Sequence, residues 1–263
     1  MSTATLALTD SATMLRRNLR RMVRYPSMTV MLIGMPIIFL LLFVYVFGGT
    51  LGAGLGGPSG GRAEYVNYVT PAIILMAVAS AVQGTSISVA MDMTEGIVDR
   101  FRTMSIARVS VLTGHVVGSV LQTVLSITAV IGVALLIGFR PAAGVGDWFA
   151  LAGVLVLMSF ALVWLSVAFG LASKSVEAAS NVGMPLVLLP FLGSGFVPTD
   201  SMPTALRWFA EHQPFTPFIE TLRGLLMGTP IGDNAVIALG WGVLIALVGY
   251  LWSKKLFNRE STR

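Results

Sequence analysis

A short segment between two apolar stretches combines charges of both signs with apolar residues near helical spacing. Residues 91–108 read MDMTEGIVDRFRTMSIAR, in which every acidic side chain precedes the basic ones. Phe101 belongs to an apolar stripe that would lie on one face of a helix. Such a helix can offer ion-pairing groups and an aromatic anchor to a docking protein. The residues leave open a solvated loop with local ion pairs, each contributing at most about 1 kcal/mol. The charged residues are Asp92, Glu95, Asp99, Arg100, Arg102 and Arg108.

The sequence has no cysteine and none of the common patterns that indicate catalysis, metal binding or phosphate binding. The chain has no cysteine, which excludes thiol nucleophiles, thiolate metal sites and disulfides. Neither the HExxH pattern of zinc peptidases nor the GxSxG pattern of serine hydrolases occurs. The phosphate-binding pattern GxxxxGK[ST] does not occur either, so the chain has no ATP site of that type. We predict no catalytic residue, no metal site and no cofactor bound by this chain.

Two amide side chains, Gln83 and Asn181, lie well inside apolar stretches. A polar group at membrane depth either bonds a neighbouring helix or lines a substrate path. The residues favour neither role for these two amides. Acidic side chains are almost absent from the apolar stretches, which argues against an ion-coupled carrier.

Six apolar stretches, each long enough to cross a bilayer, must position these residues. The hydrocarbon core is roughly 30 Å thick and requires about 20 helical residues. With 55% hydrophobic and 11% charged residues, the composition lies outside the range of soluble domains. We predict an all-α membrane protein with six transmembrane helices forming one domain over residues 1–263. The predicted spans are 29–48, 68–91, 111–139, 148–173, 178–197 and 234–252.

The basic residues predict the orientation, because positively charged loops are retained in the cytoplasm. Of the 17 lysines and arginines, 13 lie in segments on the side shared by both ends of the chain. Both termini should therefore be cytoplasmic. Since this positive charge follows the insertion rule and is not clustered for phosphate binding, we predict no nucleic-acid partner.

The segment at residues 1–28 predicts an amphipathic helix on the inner leaflet, with arginines facing the lipid head groups. A cytoplasmic arm that only fixes the topology is the alternative. The residues expected at the membrane surface are Arg17, Arg20, Arg21 and Arg24.

The segments on the opposite side are expected to lie at the outer surface. Residues 49–61 are glycine-rich and predict a flexible surface loop. Pro185 and Pro190 interrupt the fifth stretch, and this suggests a helix that stops short of the outer surface. Residues 198–233 predict short amphipathic helices at the outer interface, where Glu220 and Arg223 are spaced to form an ion pair.

The order of these parts resembles the ABC type 2 permeases, specifically the daunorubicin-resistance type of exporter subunit. The likeness covers nearly the whole chain. It rests on the basic arm, the six stretches, EGIVDRFRTMSIAR after the second stretch, and GFVPTDSMP followed by PFTPFIETLRGLLMG before the sixth.

The resemblance implies a transport subunit in a bacterial cell (inner) membrane. It would pair with a second permease copy and with two ATPase subunits, which would bind ATP and magnesium. Residues 92–109 would be the coupling segment docked on the ATPase, and Gly96 would allow close backbone approach. The substrates would be amphiphilic drugs or lipids. The coupling residues would be Glu95, Gly96, Asp99, Arg100, Phe101 and Arg102, and candidates for the substrate pathway are Met35, Phe39, Gln83 and Asn181.

Two other classes fit the same residues. A membrane scaffold or assembly protein that carries no substrate would also have spans without charged residues and a polar docking segment. A secondary transporter is the other alternative, which the missing intramembrane acids disfavour.

Overall fold

The computed structural model of the chain describes residues 26–56, 61–95 and 108–259. Within these ranges the backbone is helical apart from short turns, and no strand occurs there. The all-α prediction is therefore confirmed for this part of the chain. The helices are α1 (Pro26–Leu42), α2 (Gly48–Gly56), α3 (Arg62–Thr94), α4 (Arg108–Leu136), α5 (Val145–Ala172), α6 (Val176–Leu188), α7 (Thr204–His212), α8 (Phe215–Met227) and α9 (Asn234–Arg259).

Five helical segments of the described residues have the length and composition to cross a membrane. They coincide with the first, second, third, fourth and sixth predicted spans, and several are longer than predicted. The second span was expected at 68–91, whereas α3 has 33 residues. The five segments are Val30–Leu55, Arg62–Thr94, Val116–Leu136, Val145–Ala172 and Asn234–Phe257.

The stretch predicted as the fifth span, 178–197, is not one long helix. Helix α6 ends at Leu188 and continues only as a 3-10 turn, Leu189–Leu192. Pro185 lies inside α6 and Pro190 lies in the 3-10 turn, and each lacks the backbone N–H that would continue a helical ladder. The apolar helical part, Val176–Leu192, is shorter than the bilayer requires. A sixth crossing therefore stays a prediction.

The first span extends beyond the predicted boundary at residue 48. Helix α1 passes through a π-helical turn, Phe43–Phe47, directly into α2. The predicted surface loop is therefore wrong for residues 49–56, and residues 57–60 lie outside the described part. A Cβ atom added at Gly52 would overlap the backbone of Gly61. The glycines thus permit the end of α2 to approach the start of α3 closely.

Helix α3 is the centre of the fold. It contacts α1, α2, α4, α5, α6 and α8. Every residue from Val69 to Ala81 is buried. By contrast, α1 and α9 lie at the periphery, where side chains such as Met31 and Val236 are 66% and 72% exposed. In a membrane these exposed apolar faces can contact lipid tails without a free-energy penalty.

Glycines bring helix α5 into close contact with α3 on one side and α9 on the other. A Cβ atom at Gly170 of α5 would lie 2.8 Å from the Ser86 carbonyl oxygen of α3. A Cβ atom at Gly249 of α9 would lie 2.6 Å from the Leu165 backbone nitrogen of α5. Since real Cβ atoms do not approach backbone so closely, both crossings depend on the missing side chain.

Candidate functional site

The predicted coupling segment begins where α3 ends. The Glu95 side chain is exposed, and its backbone N–H donates to the Met91 carbonyl at 2.9 Å, which closes the last helical turn. Asp92, one turn earlier, is only 2% exposed. The end of α3 therefore has one buried and one accessible carboxyl side chain. The other predicted coupling residues, Gly96, Asp99, Arg100, Phe101 and Arg102, lie outside the described residues, as do Arg17, Arg20, Arg21 and Arg24.

Gln83 joins α3 to α6 by hydrogen bonds. Its Nε2 atom donates to the Ser180 carbonyl at 3.2 Å and lies 3.3 Å from the Ser180 hydroxyl. One turn further along α3, the Ser86 hydroxyl donates to the Ala179 carbonyl at 3.2 Å. In this conformation the Gln83 amide therefore bonds a neighbouring helix, and its role in a pathway stays a prediction.

Asn181 lies on an exposed face of α6. Met184 and Leu188 follow at helical spacing on the same face, with exposures of 55% and 48%. An amide in the middle of an apolar face is costly against lipid, so this face favours contact with another protein surface or with water.

Met35 and Phe39 of α1 have different surroundings. Met35 is 39% exposed. Phe39 is half-buried, and its ring packs edge-on against that of Phe191, with the centroids 5.5 Å apart. Among the described residues α1 does not pack against α6. The structure therefore brings Phe39 to the end of the fifth apolar stretch but does not bring Met35 to Asn181.

Phe39 belongs to a group of four rings that sequence reasoning missed. Phe191 and Phe196 are stacked with centroids 4.4 Å apart, and Phe43 lies 4.5 Å from Phe196. We call Phe39, Phe43, Phe191 and Phe196 the phenylalanine cluster. It connects the start of the π-helical turn with the 3-10 turn that follows α6. The four-residue spacing of Phe39 and Phe43 was the available signal, but nothing in it indicated the partners about 150 residues away.

A second cluster, composed of polar residues, lies near the Arg62 end of α3. The predicted ion pair is confirmed, since Arg223 Nη1 lies 2.5 Å from Glu220 Oε1. The Arg223 side chain is only 12% exposed. Its Cζ atom lies 3.9 Å from the centroid of the Tyr68 ring. We call Tyr68, Ser194, Glu220 and Arg223 the arginine cluster.

Helices α7 and α8 differ from each other in burial. Helix α7 is exposed: Trp208 is 63% exposed and stacks on His212. Its charge is neutralised locally, because Arg207 pairs with Asp200 at 2.7 Å and Glu211 at 2.8 Å. The hydrogen bond that Arg207 donates to Glu211, together with the charges of Asp200 and Glu211, raises the pKa of Arg207.

The short helices predicted within residues 198–233 are present as α7 and α8, but α8 is packed among other helices of the protein. It contacts α3, α5 and α9. Most of its apolar side chains are buried there, and those of Phe215, Phe218 and Leu222 are fully buried. The amphipathic pattern of α8 therefore faces protein, while that of α7 remains available to its surroundings.

Comparison with known proteins identifies, over most of the chain, the same family that the sequence resembles. Residues 10–227 match the family model of the ABC-2 type transporter. The chain is 28% identical over 225 residues to the daunorubicin resistance ABC transporter permease protein DrrB1 of Streptomyces coeruleorubidus. The aligned region covers 85% of this chain and 77% of that protein. It is 26% identical over 234 residues to the doxorubicin resistance ABC transporter permease protein DrrB of Mycobacterium tuberculosis, covering 84% and 76%.

A third relative is matched over a smaller part. The probable doxorubicin resistance ABC transporter permease protein DrrC of Mycobacterium tuberculosis is 24% identical over 178 residues, covering 66% of this chain and 64% of that protein. The five long apolar helices agree with a multi-pass membrane protein, and the implied ATPase partner agrees with the absence of a phosphate-binding pattern from the sequence. On these grounds the chain belongs to the ABC-2 type transporter family, as a membrane-spanning permease subunit.

Proposed function

We propose that this permease exports amphiphilic drugs or lipids across a bacterial inner membrane. The observation that carries the proposal is its likeness to a daunorubicin resistance permease over 85% of the chain. The energy would come from two ATPase subunits that bind ATP and magnesium, since the sequence has no GxxxxGK[ST] pattern of its own.

The proposed orientation has both termini in the cytoplasm. It is supported by the 13 basic residues on that side. The Thr94 end of α3 is then cytoplasmic, and the Arg62 end with the arginine cluster is at the outer side. Residues Arg17, Arg20, Arg21 and Arg24 would contact anionic head groups of the inner leaflet.

The coupling segment would transmit force through α3. Glu95 is exposed at the end of this helix, where an ATPase can reach it. Because α3 contacts α1, α4, α5, α6 and α8, a push on its cytoplasmic end acts on most of the fold at once. Closure of the ATPase pair would therefore move the permease as a connected body.

A second copy of the chain would complete the pathway. The exposed face of α6 has an amide at Asn181 where lipid is a poor partner. Met35 of α1 is also exposed, and Phe39 lies at the edge of the phenylalanine cluster. We propose that these residues line a passage between two permease copies, in which aromatic and thioether side chains suit bulky amphiphiles.

Reconstitution tests this function directly. The permease and its ATPase are purified together, placed in liposomes, and assayed for ATP-dependent uptake of fluorescent daunorubicin and of a labelled phospholipid. We expect uptake of at least one substrate and faster ATP hydrolysis in its presence. An ATPase variant that binds but does not hydrolyse ATP is the control. Uptake that persists with this variant would support a secondary transporter, and a complex without any uptake would support a scaffold.

The two amides are expected to respond differently to substitution by leucine. Asn181→Leu should change the ratio of daunorubicin to phospholipid uptake at least threefold and leave the melting temperature unchanged, because Asn181 is exposed. Gln83→Leu should lower the melting temperature by a few degrees, because the bonds to Ser180 contribute about 1 kcal/mol. Thermal unfolding and uptake are measured on both variants. Equal stability losses in the two variants would contradict these assignments.

A further inference from the structure

Three parts of the fold meet at one largely buried guanidinium group. Arg223 lies on α8, Tyr68 lies on α3, and residues 193–197 form the turn that follows the 3-10 turn Leu189–Leu192; we call residues 193–197 the glycine turn. We propose that Arg223 is a positioning residue that holds the glycine turn against α3 and keeps the outer end of the pathway closed. The inference rests on the proposed function, which supplies the pathway, but its test measures the accessibility of the turn and does not require transport.

The geometry ties the turn to both helices through one carbonyl. Arg223 Nη2 donates to the Ser194 carbonyl at 2.9 Å and to the Tyr68 carbonyl at 3.3 Å. The Tyr68 hydroxyl donates to the same Ser194 carbonyl at 2.7 Å. Ser194 thus accepts from α8 and from α3, and the guanidinium also fixes the distance between those helices.

The glycine turn depends on these side chains because it has left the helix. Helical hydrogen bonding ends with the 3-10 turn at Leu192, so the carbonyls beyond it need other donors. Tyr68 and Arg223 serve Ser194, and the Tyr65 hydroxyl donates to the Phe196 carbonyl at 3.2 Å. Removing these donors leaves buried carbonyls without partners.

The turn is also pressed closely against its neighbours. A Cβ atom at Gly195 would lie 2.6 Å from the Ala72 Cβ atom of α3. A Cβ atom at Gly193 would lie 2.5 Å from Gln213 Nε2, beside α8. Phe196 in the same turn is part of the phenylalanine cluster. Displacing the turn would therefore open the packing between α3, α8 and the end of the fifth apolar stretch.

A charged group at this place requires a reason beyond hydrogen bonding. A guanidinium that is 12% exposed in an apolar protein is costly, and the Glu220 carboxylate offsets part of that cost. The Arg223 Nε and Ser194 Oγ atoms, both buried, have no hydrogen-bond partner among the described residues. On this proposal the group is retained because it fixes the glycine turn against α3.

The absence of cysteine allows a direct test of the closed turn. Val197→Cys introduces a single thiol in a chain that has none. Its rate of reaction with a membrane-impermeant maleimide is measured in nucleotide-free proteoliposomes that contain the permease with its ATPase. Arg223→Gln is expected to raise this rate roughly tenfold, as loss of a charged hydrogen bond predicts. Tyr68→Phe keeps the ring beneath the guanidinium and is expected to raise it about threefold.

Arg207→Gln is the matched control, because Arg207 is also paired with acids but lies on exposed α7. We expect no change of the maleimide rate in this variant. A wild-type rate in folded Arg223→Gln, or an equal rise in Arg207→Gln, would overturn the proposal. If Arg223→Gln fails to assemble, Tyr68→Phe decides, and a wild-type rate there also overturns it. Should the unmodified complex not transport while the rates respond as expected, the exporter proposal fails and the positioning role stands.

Discussion

The Asp99→Arg variant is expected to lose at least nine-tenths of ATP-driven transport while remaining folded in the membrane. Asp99 belongs to the proposed coupling segment, which continues from the exposed end of α3 at Glu95. Reversing one charge replaces an attraction with a repulsion at the ATPase surface, and like charges brought together at an interface cost several kcal/mol. Uptake, ATP hydrolysis and co-purification of the ATPase are measured together, and all three should fall.

Asp200→Arg provides the matched control for this charge reversal. Asp200 is 81% exposed, and its only ion pair in the described residues joins it to Arg207 near α7, on the proposed outer side. Surface ion pairs of this kind contribute little, so transport should be nearly unchanged. Full transport and normal ATPase binding by Asp99→Arg would contradict the proposed coupling role of the segment.

The Gly249→Ala variant is expected to lower the melting temperature by roughly 5 to 10 °C. The added Cβ atom would lie 2.6 Å from the Leu165 nitrogen and 2.8 Å from the Trp164 carbonyl carbon. Both atoms belong to the backbone of α5, so no side-chain rotation can relieve the overlap and the two helices must separate. Thermal unfolding of the purified complex in detergent, followed by size-exclusion chromatography, measures the loss.

Gly240→Ala is the matched control, because it is the same substitution on the same helix at a position that does not contact α5 closely. No atom lies within 4 Å of a Cβ atom built at Gly240. Alanine is the better helix former by about 1 kcal/mol, so the melting temperature should be unchanged or slightly higher. Similar losses in both variants would show that the α5–α9 contact does not limit stability.

The long helices could be predicted from sequence because lipid imposes one simple requirement, an uncharged stretch of sufficient length. That requirement identified α3 and α9 but not their full extents. Helix α3 begins at Arg62 and α9 continues through Lys254 and Lys255, because a helix can extend past the hydrocarbon region once its ends are in water.

The glycine-rich residues were misinterpreted because composition does not distinguish freedom from close packing. Gly52 was expected in a loop, yet it lies in α2 where the backbone of Gly61 leaves no room for a side chain. Glycine permits both outcomes, and only the position of the neighbouring helix decides between them.

The arginine cluster also shows that local sequence patterns do not predict contacts between distant parts of the chain. The spacing of Glu220 and Arg223 predicted their ion pair, since both lie on one helix. The partners Tyr68 and Ser194 are 126 residues apart in sequence. Local spacing contains no information about such a meeting, which follows from how α3, α8 and the glycine turn pack together.

The burial of α3 also determines how the host membrane can influence the permease. Between Val69 and Ala81 every position is enclosed by other parts of the protein, so changes of bilayer thickness or acyl-chain order act there only indirectly. Such changes act on α1 and α9, whose apolar surfaces face outward and whose tilt can adjust. A host with a different lipid composition should therefore affect insertion and subunit pairing before it affects the transmission of force along the central helix.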